Sequence, residues 1–182
     1  MDHRQSLRAD CARCQGLCCV SHSFDRSESF SFDKAANEPC RHLGPEHRCA
    51  VHARLATVGH SGCAAYDCYG AGQRVVQELY PGQSWRDDAG LAREMFEAFR
   101  RLRELHELRF LLHEAGRLAL SAALTIERER LLRVLEPTAG FSARTLAALD
   151  VVAVHANVRS FLRSLAACMP KGNDRRRLRL AR

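Results

Sequence analysis

Nine cysteines occur in 182 residues, and eight of them fall within the first 68. They open as Cys11-x-x-Cys14-x-x-x-Cys18-Cys19 and continue as two pairs, Cys40/Cys49 and Cys63/Cys68. No helix or sheet requires such a cluster. Thiols this dense bind a metal or a metal–sulfur cluster, or they pair as disulfides. The choice constrains the fold, because the residues around them offer little else from which to build a core.

Two features weigh against disulfides. The total of nine is odd, and the N-terminal run Met1-Asp2-His3-Arg4-Gln5-Ser6-Leu7-Arg8 lacks the apolar stretch of an export signal. The expectation is a cytoplasmic chain in a reducing compartment, where disulfides do not persist. No window approaches the eighteen or so apolar residues of a membrane span. The net charge is +7, concentrated at the end: Lys171, Arg175, Arg176, Arg177, Arg179 and Arg182 stand against Asp174. Such a tail suits nucleic acid or an acidic protein partner, but without interleaved aromatics it reads first as a disordered, solubilising end.

The chain divides by composition. Residues 1–72 hold six of the nine histidines (His3, His22, His42, His47, His52, His60) and are punctuated by Gly16, Pro39, Gly44-Pro45, Gly59 and Gly62. A module so poor in large apolar side chains needs a staple, and a metal is the natural one. Residues 73–88 form a connecting segment with a Pro81-Gly82 turn and the single tryptophan, Trp85. Over 89–169 the period changes to that of helices. Leu91, Met95, Phe96, Phe99, Leu102, Leu105, Leu108, Leu112 and Ala115 form the apolar stripe of a long helix. Asp87 or Asp88 caps its start, and Gly116 weakens or bends its end. A second helix is predicted over 118–135, stopped by Pro137 and Gly140. Ser142 caps a short turn. Asp150 caps a last helix to about Cys168, with Val151, Val154, Val158, Phe161, Leu162 and Leu165 inward and Pro170 and Gly172 beyond it. Residues 170–182 are the basic tail. The predicted fold is mainly α: an irregular, cysteine-rich, metal-stapled module packed on a bundle of three to four helices.

Cys-x-x-Cys is the spacing at which one turn brings two sulfurs onto one ion, and Cys11 and Cys14 fit it. Adjacent side chains usually diverge, so Cys18 and Cys19 are expected to serve different sites or different atoms of a cluster. The pairs Cys40/Cys49 and Cys63/Cys68 supply the remaining ligands. Eight sulfurs then make two four-ligand sites or a multi-atom cluster, of zinc, iron or iron–sulfur type. His42 and His52, close to Cys40 and Cys49, are alternative ligands. Cys168, alone on a predicted helix, reads as a neutral thiol. In the bundle, His106 and His113 are each followed by glutamate, and the Glu-x-x-His pattern of di-iron bundles is absent. No P-loop, nucleophile elbow or dinucleotide fingerprint occurs.

These segments resemble a known family. Cys11-x-x-Cys14-x-x-x-Cys18-Cys19, Pro39-Cys40-Arg41-His42-Leu43, Arg48-Cys49-Ala50-Val51-His52 and the later Cys63 are similar to the YkgJ-type zinc- or iron-chelating domains. The likeness is strongest to the module that opens bacterial pentapeptide-repeat proteins. Gly16-Leu17-Cys18-Cys19-Val20 and Tyr66-Asp67-Cys68-Tyr69-Gly70-Ala71-Gly72-Gln73 carry it, as do Met95-Phe96-Glu97-Ala98-Phe99 and Leu105-His106-Glu107-Leu108. The repeats themselves are absent here. The resemblance implies metal chelation and assigns no reaction. Three functions remain open: a metal-binding accessory or regulatory protein, an iron–sulfur redox protein or oxidoreductase, and a zinc-stabilised nucleic-acid binder.

Overall fold

The computed structural model describes residues 3–168. Among them the regular structure is helical, and pairing between extended segments is limited to the isolated bridges Phe24↔Lys34, Ser27↔Phe30 and Leu43↔Cys49. The basic tail, Pro170 and Gly172 lie outside the described residues.

The first half contains short pieces only: α1 (His3–Ser6), a 3-10 turn (Cys11–Arg13), α2 (Leu17–Ser21), a second 3-10 turn (His52–Arg54) and α3 (Ser61–Ala65). Residues 71–79 then coil as α4 (Ala71–Arg74) running into one π turn (Val75–Leu79). The stretch between the cysteines and the bundle is therefore helical at its start, and Ala71, Val75, Val76, Tyr80 and Trp85 are buried. Val75-Val76 and Leu79-Tyr80 are two apolar doublets, too short a pattern to declare a helical period.

The second half follows the expected caps. Asp88 accepts the Leu91 N–H at the start of α5 (Ala89–Ala115), and Gly116 closes it. At 27 residues α5 is about 40 Å long. Helix α6 (Ala122–Leu135) starts four residues later than the predicted 118, because Ser121 is extended and its hydroxyl accepts the Leu124 N–H. Helix α7 (Ala143–Ala148) opens on a capping box in which Ser142 and Thr145 serve each other's backbone N–H. Asp150 caps α8 (Val151–Ser164), which tightens into a 3-10 turn over Leu165–Cys168.

Helix α5 is the shared axis. Helices α1, α2, α4, α6, α7 and α8 all pack on it. Phe99, Met95, Leu105 and Leu112 are fully buried along its length. Leu17 and Val20 from α2 belong to the same hydrophobic cluster as Val158 and Phe161 from α8. The cysteine-rich half thus contributes to one continuous core with the bundle. A second, aromatic patch fills the long loop: Phe24 stacks on Phe30 at 4.3 Å, and Phe32 packs edge-on to the buried His60 at 4.8 Å.

Candidate metal centre

The eight predicted ligands are all free thiols; Cys11 is exposed and the other seven are half-buried, with Cys14, Cys18 and Cys68 packed against the core. Cys11 is in the first 3-10 turn and Cys14 ends it. Cys18 and Cys19 sit in α2, Cys63 in α3, and Cys68 just ahead of α4. The Cys40 N–H bonds the Cys19 carbonyl at 2.9 Å, and Cys49 bridges Leu43, so the middle pair is tied to the vicinal pair by main chain. Among the described residues, no three Cys, His, Asp or Glu close to metal-ligand geometry. The thiols form a gathered set rather than a closed cage.

One expectation is corrected. The Cys18 and Cys19 sulfurs do not diverge: they stand 3.9 Å apart and hydrogen-bond to each other. Neighbours in a helix are separated by about 100°, and the mutual S–H···S bond draws the two side chains together. For comparison, sulfurs about 2.3 Å from one tetrahedral ion are about 3.8 Å apart.

The electrostatics show which thiols are neighbours. Burial pushes the Cys14 thiol up to about 12, and nearby Cys18 and Cys68 add to the rise. Cys11 is raised by burial, then by Cys18 and Cys68. Burial lifts Cys63 to about 11, reinforced by Cys18, Cys40 and Cys49. Cys49 is raised by burial, then by Cys40 and Cys18. Cys18, hydrogen-bonded to Cys19 and buried, is raised strongly. Two groups emerge around the vicinal pair: Cys11, Cys14 and Cys68 on one side, and Cys40, Cys49 and Cys63 on the other. Burial, with the neighbouring thiols, raises Cys11, Cys14, Cys49, Cys63 and Cys68 and so favours their protonated form.

The backbone opposes that trend at specific sulfurs. The backbone at Gly16 and Leu17 pulls the Cys14 pKa down against the larger effect of burial, as Gly70 and Gly72 do for Cys68 and Val51 for Cys49. Each favours the thiolate, since an N–H bond to a charged sulfur is stronger than to a neutral thiol. Gly72 matters twice: a Cβ there would lie 2.5 Å from the Cys14 sulfur, so only glycine lets α4 approach the cysteine turn. Gly16 sits at φ +66°, and a Cβ there would lie 2.7 Å from Leu43 Cδ1 and 3.0 Å from the His47 carbonyl oxygen.

Several residues that spacing alone did not single out position these loops. Arg48 donates to the Cys11 and Ala12 carbonyls, fastening the Cys49 loop to the first turn. Gln73 brackets residues 8–10 by donating to the Arg8 carbonyl and accepting from the Asp10 N–H. From α5, Arg100 donates to the Ser21 carbonyl and the Asn37 side chain, and Arg103 lies beside the Tyr66 and Tyr69 rings. The buried His106 donates its Nδ1–H to the Tyr69 carbonyl at 2.7 Å. Tyr69 sits at φ +48°, a left-handed conformation costing roughly 1 kcal/mol or more for a bulky residue. Its N–H bond to Asp67 and its carbonyl bond to His106 hold it there, directly after Cys68. The pairing of these residues with the cysteine loops was not visible in the sequence, because each partner lies far along the chain.

The histidines divide. His52 is exposed on its turn, while His42 packs edge-on against Phe32 and His60. His22 hydrogen-bonds the Tyr66 hydroxyl at 2.7 Å and lies edge-on to Phe99. Burial, with Arg103 and Arg100 nearby, holds its pKa down.

The chain is 37% identical over 156 residues to the uncharacterized protein YybG of Bacillus subtilis (strain 168), a match covering 86% of this chain and 56% of YybG. It thus spans little more than half the length of that relative. No family model and no solved structure matches it. Among the described residues, no helix is long and apolar enough to cross a membrane.

Proposed function

We propose that this is a thiolate-metal protein of accessory or regulatory type, in which zinc or iron, including an iron–sulfur cluster, staples the N-terminal half to α5. The proposed ligands fall into two sets that meet at the vicinal pair: Cys11, Cys14, Cys18 and Cys68, and Cys19, Cys40, Cys49 and Cys63. The observation that carries the reading is how the fold draws the cysteines together: the Cys18 and Cys19 sulfurs stand 3.9 Å apart, and the Cys40 N–H bonds the Cys19 carbonyl at 2.9 Å. Thiolate is the form a metal binds. The donor chemistry fits: all-sulfur sites suit zinc and iron–sulfur clusters alike. The resemblance to YkgJ-type chelating domains points the same way. A closed all-thiolate zinc site would be structural, whereas an iron–sulfur cluster would supply one-electron chemistry.

The test is metal and acid-labile sulfide analysis of protein purified without oxygen, on wild type and on the joint replacement Cys14→Ser, Cys18→Ser. The wild type is expected to carry stoichiometric metal, colourless if zinc and brown if an iron–sulfur cluster. The double variant is expected to lose it. Full metal content in the variant would sink the ligand assignment.

A further inference from the structure

Helices α5 and α8 pack on each other, and an open groove of about 640 Å³ lies between them at the surface. Its α8 wall runs from Val151 to Arg163, about 18 Å along the helix axis. Its α5 wall is Glu97, Arg100, Arg101 and Glu104, at the three- and four-residue spacing of one helix face. No cysteine lines it.

The charges in the groove do not balance. Four arginines, Arg100, Arg101, Arg159 and Arg163, stand against Glu97 and Glu104, which leaves +2 with His155 neutral. Glu97 is already engaged by both α5 arginines, at 3.0 Å from Arg100 and 2.9 Å from Arg101. Arg100 also serves the Ser21 carbonyl and the Asn37 side chain, and Arg101 serves the Leu149 carbonyl. Arg159 and Arg163 differ. Both are exposed, and among the described residues neither side chain forms a hydrogen bond or ion pair. They stand four residues apart on α8, where like charges repel and weaken a helix. Beside them the lining is apolar: Val151, Ala156 and Val152. Val152 is 81% exposed, against 65% for Ile126, the next most exposed large apolar side chain among the described residues.

We propose that this groove docks an acidic, amphipathic segment of a partner protein, with its carboxylates on Arg159 and Arg163 and an apolar side chain on Val152. Charge complementarity steers and orients the segment, and covering Val152 adds apolar burial. The length of the groove fits a helix of about three turns. A nucleic acid suits it less well. No Phe, Tyr or Trp lines it to stack on a base, and Glu97 and Glu104 repel a phosphate backbone. The inference goes beyond the metal reading and uses no thiol, so the failure of one leaves the other standing.

The test is fluorescence anisotropy with a labelled helical peptide as long as the 14-residue α8, carrying glutamates at four-residue spacing on one flank and leucines on the other. The full chain is used throughout, so every variant keeps the same basic tail. Wild type is expected to bind the peptide. Arg159→Glu with Arg163→Glu is expected to weaken binding by about tenfold or more, and Val152→Ser by about threefold. Arg133→Glu with Arg144→Glu changes the net charge equally on exposed arginines outside the groove, and is expected to keep the affinity within about twofold. Helix content checks folding. No binding by wild type, unchanged binding in R159E/R163E, or equal weakening in R133E/R144E each overturns the inference. Equally tight binding of a peptide with every leucine replaced by serine does so too, by reducing the groove to a charge patch. A single-stranded oligonucleotide that displaces the peptide and loses affinity in R159E/R163E makes the groove a nucleic-acid site and overturns it as well. Should R159E/R163E not fold, wild-type affinity in V152S is sufficient to overturn it.

Discussion

His106 shows how a single side chain joins chemistry to architecture. It is buried on α5, neutral, and bound to the Tyr69 carbonyl. Burial holds its pKa down to about 3, against the helping effect of that hydrogen bond. The sign of the pH dependence follows. In the unfolded chain the imidazole returns to about 6.5. Between those values the unfolded state binds a proton that the folded state refuses, so stability falls as pH drops from about 6.5 toward 3. One such group contributes at most about 1.4 kcal/mol per pH unit. Urea midpoints measured from pH 7 to pH 5 are expected to fall less steeply in His106→Gln than in wild type. Parallel slopes would remove His106 from the explanation. His22, His47 and His60 shift in the same direction through burial, so the residual slope stays positive. At this scale the sequence displayed the metal-ligand candidates and hid their supports. Cysteine spacing is a local pattern. Arg48, Arg100 and Arg103 look in sequence like any solvated cation, because they reach backbone carbonyls 36 to 79 residues away.

Among the elements, α5 was the most legible, since its apolar stripe repeats through seven turns and both ends carry strong caps. Ser142 and Asp150 likewise mark helix starts by their own chemistry. The first turns of α6 were not legible: Leu118 and Leu120 continue the apolar pattern, and only the hydroxyl of Ser121 decides where the helix begins. Helix α4 and its π turn escaped because nine residues cannot establish a period. Phe99 is where the elements meet. It is fully buried in α5, edge-on to His22, and its ring lies 3.8 Å from where a Gly72 Cβ would be. Phe99→Ala is expected to cost about 3–5 kcal/mol and to lower metal retention, because α2 and α4 both lose their seat. The checks are a urea melt and metal content of the folded variant. Unchanged metal retention alongside the stability loss would show that the cysteine loops do not depend on this contact.

For the whole molecule, the composition divides the chain into a cysteine-rich module packed on a helical bundle, and the core runs continuously through both. Leu17 and Val20 lie among the buried residues of the bundle, and Trp85 spans the seam, its Nε1–H bonding the Gln15 carbonyl while its ring meets Phe96. Stripping metal with a chelator is therefore expected to lower one cooperative thermal transition, with Trp85 fluorescence and helix content melting together. Two separate transitions, the helical one at its original midpoint, would show that the halves are uncoupled.

The placement of α5 also has a consequence for the order of events at synthesis. Arg4 pairs with Glu114 at 2.9 Å, Arg100 reaches Ser21, and Leu7 is buried, so the cysteine loops are closed by a helix that ends at Ala115. All eight thiols leave the ribosome well before the surface that covers them. During that interval the nascent chain is a flexible, multidentate thiol ligand open to whatever ion or oxidant it meets first. On the proposed metal reading, the completed α5 would be the latch that fixes the loops around an ion already bound.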